Sequence, residues 1–252
     1  MGFTIDRDSW QEQSAGSLLG HDFQIFQSVL SSTSLSIFTS DTTTVANCHW
    51  QCHTLQIMCG INSAKLNLRK KIKTIIAQLS AEEKQRQSRI VFEKLRSLKQ
   101  FQESKRVSSY LSTNDEINTV PILKHMFEMK KEVFIPRYNG KQMEMVKLFS
   151  MNDYEHLPVT KWNIKQPRFN EPRENALETG GLDLILLPGV AFSLSGKRLG
   201  HGMGYYDKFL DLCLKKQQKR PHLIAVAFNE QLREDIPTTE NDVLLDLILT
   251  EK

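Results

Sequence analysis

The sequence predicts an α/β fold, a three-layer α/β/α sandwich around a mostly parallel sheet. The chain has 252 residues, which is enough for one or two domains with a substantial core. From residue 62 onward, short apolar runs alternate with helical patterns, as is typical of a parallel sheet covered by helices. A glycine-rich loop follows an apolar run at Leu182–Leu187, and ligands of such sheets bind beyond the carboxyl ends of strands.

The first two predicted elements are helices. Apolar residues recur at helical spacing over Leu68–Leu79, which predicts a helix beginning near Asn62. A neighbouring stripe of this helix carries three cations, Lys65, Arg69 and Lys73. The run Ser80–Glu83 is a capping box, which predicts that a second helix starts there and continues to about Leu98.

The remaining predicted elements are strands and helices in alternation. The strands are expected at Arg106–Leu111, Glu132–Ile135, Met143–Phe149, Leu182–Leu187, Leu223–Ala227 and Val243–Leu249. The helices are expected at Val120–Met129 and Tyr206–Lys215. The loop after Leu111 should open on the same side of the sheet as the glycine-rich loop, because both follow strands of one parallel sheet.

Residues 1–60 differ from the rest of the chain. They contain sixteen Ser or Thr and no sustained helical or strand period, which predicts a Ser/Thr-rich extension that is disordered or outside the functional protein. Residues 62–252 are predicted to form a single domain. The extension carries a charge of −4, so the remainder carries +8 for the chain's total of +4. Met58 is a candidate start of the functional protein.

Charge and composition favour some classes of partner over others. A basic chain suits nucleic acid or an anionic small molecule, and we favour the second because no Lys/Arg block or basic stripe with interleaved aromatics is present. No run reaches the roughly 18 apolar residues of a membrane helix. The cysteines indicate a reducing compartment, and the cluster Cys48–His53 lacks the spacing of zinc sites. We therefore expect a cytoplasmic monomer without nucleic-acid or membrane partners, and leave a mitochondrial location open.

The most informative segment is Pro188–Asp207. Four of its five glycines, at positions 196, 200, 202 and 204, permit positive φ angles and a close approach of the backbone to a ligand. Lys197, Arg198 and the start of a helix near Tyr206 add positive charge. This combination predicts a phosphate cradle. The alternative is a glycine-rich surface turn, which fewer glycines without flanking cations would favour.

This segment and the strand before it resemble the signature of the 5-formyltetrahydrofolate cyclo-ligase family, also called 5,10-methenyltetrahydrofolate synthetases. Further matching islands occur in the family's order and cover nearly all of residues 63–252, whereas residues 1–60 lie outside the resemblance. These islands are Lys65–Arg69, Ser80–Arg89, Asn114–Ile117, Phe134–Tyr138, Trp162–Ile164 with Gln166 and Pro167, Thr179–Asp183 and Glu240–Asp242.

The resemblance implies a fold like that of the ribose-5-phosphate isomerase and CoA-transferase (NagB-like) group, and a reaction that uses ATP and Mg²⁺. The implied reaction converts 5-formyltetrahydrofolate, with or without a polyglutamate tail, to 5,10-methenyltetrahydrofolate, ADP and phosphate. The formyl oxygen attacks the γ-phosphorus of ATP, and the neighbouring folate nitrogen closes the ring as phosphate leaves. Such chemistry needs positioning and charge neutralisation rather than a protein nucleophile.

The resemblance also implies the site residues. Those for ATP are Lys65, Leu66, Asn67, Leu68, Arg69, Arg198, Leu199, Gly200, His201, Gly202, Met203, Gly204, Tyr205 and Tyr206. Those for the folate are Leu111, Glu116, Tyr138, Trp162, His201, Gly202, Met203, Gly204 and Tyr205. The implied catalytic residues are Arg198 and Tyr205, and the implied magnesium ligands are Asp207 and Asp242. Without the resemblance, the cations of the first helix could form a solvated face, Asp207 could be a helix-start carboxylate, Glu116 a loop carboxylate and Trp162 a core residue.

Two alternatives and one departure accompany this interpretation. The chain has His201 where the resemblance leads us to expect Arg, so we expect modestly weaker and more pH-dependent polyanion binding. The first alternative function is a non-catalytic relative that serves as a ligand- or RNA-associated binding module. The second is a sugar-phosphate isomerase or another phosphate-ester enzyme on the same fold. That chemistry needs a general base near a carbon acid, and no His/Glu pair stands out.

Overall fold

The computed structural model describes residues 42–252 except 141, 161–163 and 239–241, with side chains from residue 60 onward. The chain divides into two units, 1–54 and 55–252, and every contact described below lies in the second. None of the helices in the described part of the chain combines the length and the apolar character needed to cross a membrane.

Helix α1 (Thr42–Ala77) begins earlier than the sequence predicted. The helical pattern indicated a start at Asn62, and the Ser/Thr content indicated weak order before it. The backbone of residues 42–61 is nevertheless helical, and residues 42–59 contain no Gly or Pro that would interrupt the hydrogen-bond ladder. The division into a 1–60 extension and a 62–252 domain stays a prediction, and residues 1–41 lie outside the described part of the chain.

Helix α2 (Ala81–Ser97) starts where the capping box predicted it. The Ser80 hydroxyl accepts a hydrogen bond from the Glu83 backbone N–H at 3.1 Å, which satisfies one of the free donors at the helix start. The Glu83 carboxylate accepts hydrogen bonds from Arg86 and Gln87. Of the two hydrogen bonds of a capping box, the observed contacts therefore support the one from the Glu83 backbone to the Ser80 side chain.

The other elements follow in the predicted alternation, with some additions. They are α3 (Lys99–Glu103), β1 (Arg106–Ser108), α4 (Val120–Glu128), β2 (Glu132–Asn139), β3 (Gln142–Leu148), α5 (Met151–His156), β4 (Leu184–Leu187), β5 (Ala191–Phe192), β6 (Arg198–Leu199), α6 (Tyr205–Lys216), β7 (His222–Val226), a 3₁₀ turn at Asn229–Gln231 and β8 (Leu247–Leu249). The short elements α3, α5, β5 and β6 were not predicted, because they span too few residues to show a period.

The predicted α/β fold with a mostly parallel sheet is confirmed. The six-stranded sheet has the order β3-β2-β1-β4-β7-β8, and among its described pairs only β2 and β3 are antiparallel. All four residues of β4 are buried, as are the last four of β7. Because successive side chains point to opposite faces, such strands must be covered on both sides.

Three strands are shorter than predicted, and β2 extends four residues farther than predicted, to Asn139. The strand predicted at Leu182–Leu187 begins only at Leu184, and the Asp183 carboxylate accepts hydrogen bonds from the backbone N–H groups of Lys105 and Arg106. Strand β1 ends at Ser108 rather than at residue 111, and β8 covers only the last part of the run predicted from residue 243. Each shortened strand leaves more chain for the loops at its end.

The strand order places a topological switch point between β1 and β4. Within the sheet, β1 has β2 as its neighbour on one side and β4, which comes later in the chain, as its neighbour on the other. The loops that follow β1 and β4 therefore open next to each other beyond the carboxyl ends of two neighbouring parallel strands. Crevices at such points are the usual ligand sites of open α/β sheets. This arrangement brings the loop after residue 111 beside the glycine-rich loop.

Candidate active site

A cavity of about 540 Å³ lies where these loops meet. Its walls come from the loop after β1, the end of β2 and the segment between β4 and α6, and its volume is in the usual range for small-molecule sites. Of the predicted site residues, those that line it are Leu111, Glu116, Tyr138, Arg198, Gly200, His201, Met203, Gly204, Tyr205, Tyr206 and Asp207.

The glycine-rich segment has two parts with different roles. Gly196 turns the β5–β6 hairpin, and a Cβ there would lie 2.6 Å from the carbonyl oxygen of Leu245. This glycine therefore permits close packing of two backbones. Neither Gly196 nor Lys197 is among the residues that line the cavity, and of the other predicted glycines Gly200 and Gly204 line it, whereas Gly202 does not. The part that faces the cavity begins at Arg198.

The second part of the segment brings two guanidinium groups close to its backbone. A Cβ on Gly200 would lie 3.1 Å from Arg198 Nη1, and one on Gly202 would lie 3.6 Å from Arg69 Cζ. Gly202 has a φ of 107° and Gly204 a φ of 67°, whereas Gly200 does not have the predicted positive φ. The absence of side chains thus lets the guanidinium groups approach the backbone at Gly200 and Gly202, and a Cβ on Gly204 would meet nothing within 4 Å.

Helix α1 contributes Arg69 directly to this loop. The Arg69 Nε–H donates a hydrogen bond of 2.8 Å to the carbonyl oxygen of Gly200. One helical turn earlier, the Lys65 ammonium lies 3.2 Å from a carboxylate oxygen of Asp242. Between them, Leu66 and Asn67 are exposed and Leu68 packs partly against the core. The structure therefore brings the two predicted cations of this helix to the site, and places Asp242 beside one of them.

Arg198 is the most enclosed cation of the cavity wall. Its side chain is only 5% exposed, and its Nη1 donates a hydrogen bond of 3.2 Å to the Pro188 carbonyl oxygen. Its Nη2 pairs with the Asp207 carboxylate, and its guanidinium lies 5.8 Å from the ring centroid of Tyr206. These contacts hold the guanidinium in one orientation at the cavity wall.

Glu116 connects the loop after β1 to the glycine-rich segment. One carboxylate oxygen accepts hydrogen bonds from the Thr113 backbone N–H at 2.8 Å and from the Thr113 hydroxyl at 3.0 Å. The other oxygen lies 3.5 Å from Nε2 of His201, a side chain that is 61% exposed. Glu116 itself is only 11% exposed. The carboxylate is thus oriented from one side and meets the glycine-rich segment on the other.

Three tyrosines form the aromatic part of the cavity. The rings of Tyr138 and Tyr205 meet edge to face with centroids 4.9 Å apart, and the Tyr205 hydroxyl donates to the Gly140 carbonyl oxygen at 2.7 Å. Burial raises the pKa of Tyr138 to about 12 and raises that of Tyr206 well above its usual value. Both hydroxyls therefore remain protonated donors at neutral pH.

The Tyr206 hydroxyl is buried without a hydrogen-bond partner among the described residues. Tyr138 and Tyr206 influence each other's pKa, but their hydroxyls do not meet at normal hydrogen-bond geometry. An unpaired buried donor costs free energy, about 1–3 kcal/mol. Its position in the wall of this cavity fits a site that receives a polar ligand.

Some residues fall outside these findings or were missed. Trp162, predicted for the folate, lies outside the described residues. Tyr110, Thr113, Pro136 and Ile164 line the cavity but were not predicted. Pro136 and Ile164 lie within the matching islands Phe134–Tyr138 and Trp162–Ile164, whereas for Tyr110 and Thr113 the only signal was their position at or after a predicted strand end.

Comparison with known proteins agrees with this geometry. The model of the 5-formyltetrahydrofolate cyclo-ligase family matches residues 61–251. The chain belongs to this family. The mouse protein named 5-formyltetrahydrofolate cyclo-ligase is 46% identical over 193 residues, which cover 76% of this chain and 95% of the mouse protein. A Caenorhabditis elegans protein named probable 5-formyltetrahydrofolate cyclo-ligase is 45% identical over 197 residues, covering 77% and 96%.

Solved structures of cyclo-ligase relatives share the fold. The NMR structure of the Aquifex aeolicus 5,10-methenyltetrahydrofolate synthetase has a TM-score of 0.60 and 32% identity, covering 75% of this chain and 90% of that one. The Mycoplasma pneumoniae synthetase has a TM-score of 0.57 at 20% identity, over 75% and 99%, and supports the fold alone. These relatives are named as enzymes, which gives no support to the alternative of a non-catalytic binding module.

Two carboxylates of the site, Asp207 and Asp242, are candidates for binding a magnesium ion. Among the described residues, no group of three or more His, Cys, Asp or Glu is arranged to hold a metal ion. The two predicted metal ligands are both carboxylates beside cations, Asp207 next to Arg198 and Asp242 next to Lys65. Mg²⁺ is commonly held by one or two carboxylates, with water and substrate phosphates completing its shell. The donor set therefore fits a magnesium ion that arrives with phosphates.

We expect Glu116→Gln to weaken folate binding specifically. The neutral amide keeps the shape but loses the charge that accepts hydrogen bonds from pterin donors, so the KM for 5-formyltetrahydrofolate should rise about 30-fold. The KM for ATP should change by less than about twofold. Steady-state kinetics with each substrate varied in turn measure both values. The matched control is Asp115→Asn, because Asp115 is the preceding carboxylate and pairs with Lys84 outside the cavity; a folate KM that rises equally in both variants would contradict the role of Glu116.

The His201 departure predicts a difference in pH profile. An imidazole can be neutral or charged at ordinary pH, whereas a guanidinium is always charged. In the wild type, the KM for ATP should therefore fall more steeply from about pH 8 to pH 6 than in His201→Arg, whose charge is constant. ATP itself titrates identically in both assays, so the difference between the profiles is the measured quantity. Superimposable profiles would show that His201 has no such effect.

Proposed function

We propose that this protein catalyses the ATP-dependent conversion of 5-formyltetrahydrofolate to 5,10-methenyltetrahydrofolate, with release of ADP and phosphate. The observation that carries the proposal is the proximity of a glycine cradle with two guanidinium groups to a cavity lined by tyrosines and a carboxylate. Membership of the cyclo-ligase family supports the same reaction. The two ligand types would then meet at one switch point of the sheet.

The phosphates of ATP would be held by the glycine backbone together with Lys65, Arg69 and Arg198. Arg69 already binds the loop through the Gly200 carbonyl, and its guanidinium carbon would lie 3.6 Å from a Cβ on Gly202. Arg198 is enclosed, so its charge acts through little water. These cations would neutralise negative charge as it shifts over the phosphoryl oxygens, which is the main requirement of phosphoryl transfer.

The folate would lie in the aromatic part of the cavity. Tyr138 and Tyr205 offer ring surfaces for the flat pterin, and Glu116 offers a carboxylate to its donor groups. Tyr205 is held by Gly140 at the turn between β2 and β3, so its ring position does not depend on the ligand. Such fixed walls would place the formyl oxygen toward the phosphate cradle, and orientation of this kind contributes much of the rate in two-substrate reactions.

Asp207 and Asp242 are proposed as the magnesium ligands. Bound Mg²⁺ would supply neutralisation of phosphate charge and fix the phosphate geometry. The chain's own contribution is to hold these carboxylates next to Arg198 and Lys65, so that metal and cations surround the same phosphate chain.

The direct test follows the absorbance of 5,10-methenyltetrahydrofolate formed from 5-formyltetrahydrofolate. We expect turnover by the full chain and by a protein that starts at Met58, in both cases only with ATP and MgCl₂ together. Product formed without nucleotide, or no product under any of these conditions, would contradict the proposed reaction. A protein starting at Met58 that is inactive while the full chain is active would contradict only the proposed start.

The proposed setting is a cytoplasmic monomer with small-molecule partners and without nucleic acid or membrane. A mitochondrial location is the second candidate, since an Arabidopsis thaliana relative that is 32% identical over 168 residues is named as mitochondrial. Light scattering after size-exclusion chromatography tests the monomer, and subcellular fractionation tests the location.

A further inference from the structure

Two ion pairs connect the cations of the phosphate cradle to its carboxylates. The Lys65 ammonium lies 3.2 Å from Asp242, and Arg198 forms a short charge-assisted hydrogen bond with Asp207. The cation is the more enclosed partner in each pair, with side-chain exposures of 16% against 22% and of 5% against 43%. Each pair therefore joins a cation proposed for phosphates to a carboxylate proposed for the metal.

This pairing limits the positive charge that the cradle presents to an anion. Together with Arg69, the cradle has three cations and two carboxylates, so its net charge is a single positive unit. A phosphate chain that arrives alone must compete with a carboxylate for Lys65 or for Arg198. It would also be repelled by the displaced carboxylate at short range. A phosphate chain that arrives with a divalent cation offers the same carboxylate a new partner.

We propose that Asp207 and Asp242 make the site selective for metal-complexed nucleotide over free nucleotide. In the absence of metal, Asp207 pairs with Arg198 and Asp242 pairs with Lys65. When a metal ion binds the carboxylates, the two cations become available to phosphate. The inference rests on the proposed function and adds an excluding role to carboxylates that would otherwise only hold the metal. It follows that free ATP is a weak competitor of its magnesium complex at this site.

Isothermal titration calorimetry of ATP binding to the full chain tests the selectivity, in excess EDTA and in excess MgCl₂. We expect Asp242→Asn to bind ATP about fivefold more tightly than wild type in EDTA, because Lys65 is released. In MgCl₂ the same variant should bind about fivefold more weakly, because a metal ligand is lost. The ratio of the Kd in EDTA to the Kd in MgCl₂ should therefore be about 25-fold lower in the variant than in wild type.

Two controls separate this effect from a general change in charge. Asp211→Asn removes a carboxylate that pairs with Lys215 on the exposed face of α6, and the Kd ratio should stay at the wild-type value. In a Lys65→Met background, Asp242→Asn should no longer tighten binding in EDTA, because the released cation is missing. Asp207→Asn provides a second test through Arg198, with thermal unfolding used to confirm that each variant is folded.

The outcomes distinguish the inference from the function on which it rests. If wild type binds ATP in MgCl₂ but neither carboxylate variant binds it more tightly in EDTA, the selectivity is overturned and the proposed function stands. If wild type binds ATP in neither buffer, the proposed function itself is overturned.

Discussion

Arg198→Gln should lower kcat/KM by about 10³-fold, which corresponds to about 4 kcal/mol of transition-state stabilisation. The enclosed guanidinium is the cation best placed to act on the cavity, since its side chain is 5% exposed and is held by Asp207 and the Pro188 carbonyl. The amide keeps a donor but loses the charge. The loss should fall mainly on kcat, because the charge to be neutralised grows as the phosphoryl group is transferred. The absorbance assay for methenyltetrahydrofolate measures it.

The matched control for this prediction is Arg220→Gln. Arg220 also pairs with an aspartate, Asp246. It precedes β7, so it lies at the amino ends of the parallel strands, whereas the cavity lies beyond their carboxyl ends. Its variant should keep the wild-type kcat/KM within about twofold. Thermal unfolding of both variants shows whether loss of an Arg–Asp pair by itself disturbs the fold. An Arg198 variant with nearly full activity would remove this side chain from the mechanism.

Gly202→Ala should lower kcat/KM by about 10²-fold while the free energy of unfolding falls by about 1–2 kcal/mol. The φ of 107° at this position is strained for any residue with a Cβ, and the added methyl would stand 3.6 Å from the Arg69 guanidinium, where we place phosphate. The variant thus perturbs the backbone of the cradle and fills its space. Kinetics for activity and denaturant unfolding for stability measure the two effects separately.

Gly180→Ala is a closely matched control for Gly202→Ala. Gly180 has a φ of 118°, and a Cβ there would lie 3.9 Å from the Arg106 guanidinium. It precedes β4, at the amino end of the strand, and therefore lies away from the cavity. We expect a similar loss of stability with unchanged kcat/KM. Equal losses of activity in both variants would mean that general destabilisation, rather than the cradle, explains the Gly202 result.

The fold was largely predictable, because buried parallel strands leave a strong local signal. Strand β4 is an apolar run followed by Pro188 and Gly189, and its neighbour β7 is similarly apolar. The hairpin formed by β5 and β6 was not found, since two-residue strands have no measurable period. The early start of α1 differs from the prediction for another reason: a high Ser/Thr content predicts weak order, although the residues after Thr42 allow a helix.

The site was predictable in its motifs but not in its contacts. The glycines, Arg198 and Asp207 are close in sequence, so their proximity follows from one loop. The pair between Lys65 and Asp242 spans 177 positions, and no local pattern indicates it. The approach of His201 to Glu116 likewise depends on the order of strands in the sheet. Residues such as Thr113 act through orientation of a neighbouring carboxylate, which composition and spacing do not reveal.

The switch point has a consequence for dividing the polypeptide. A cut in the long connection between α5 and β4 would leave Arg69, Glu116 and Tyr138 on the first fragment, and Arg198 and Tyr205 on the second. Neither fragment would hold a full set of contacts for nucleotide or for folate. Catalytic activity would then require reassembly of the two fragments. The connection between α5 and β4 is therefore a suitable division point for split-protein complementation, because β1 and β4 pair at the centre of the sheet.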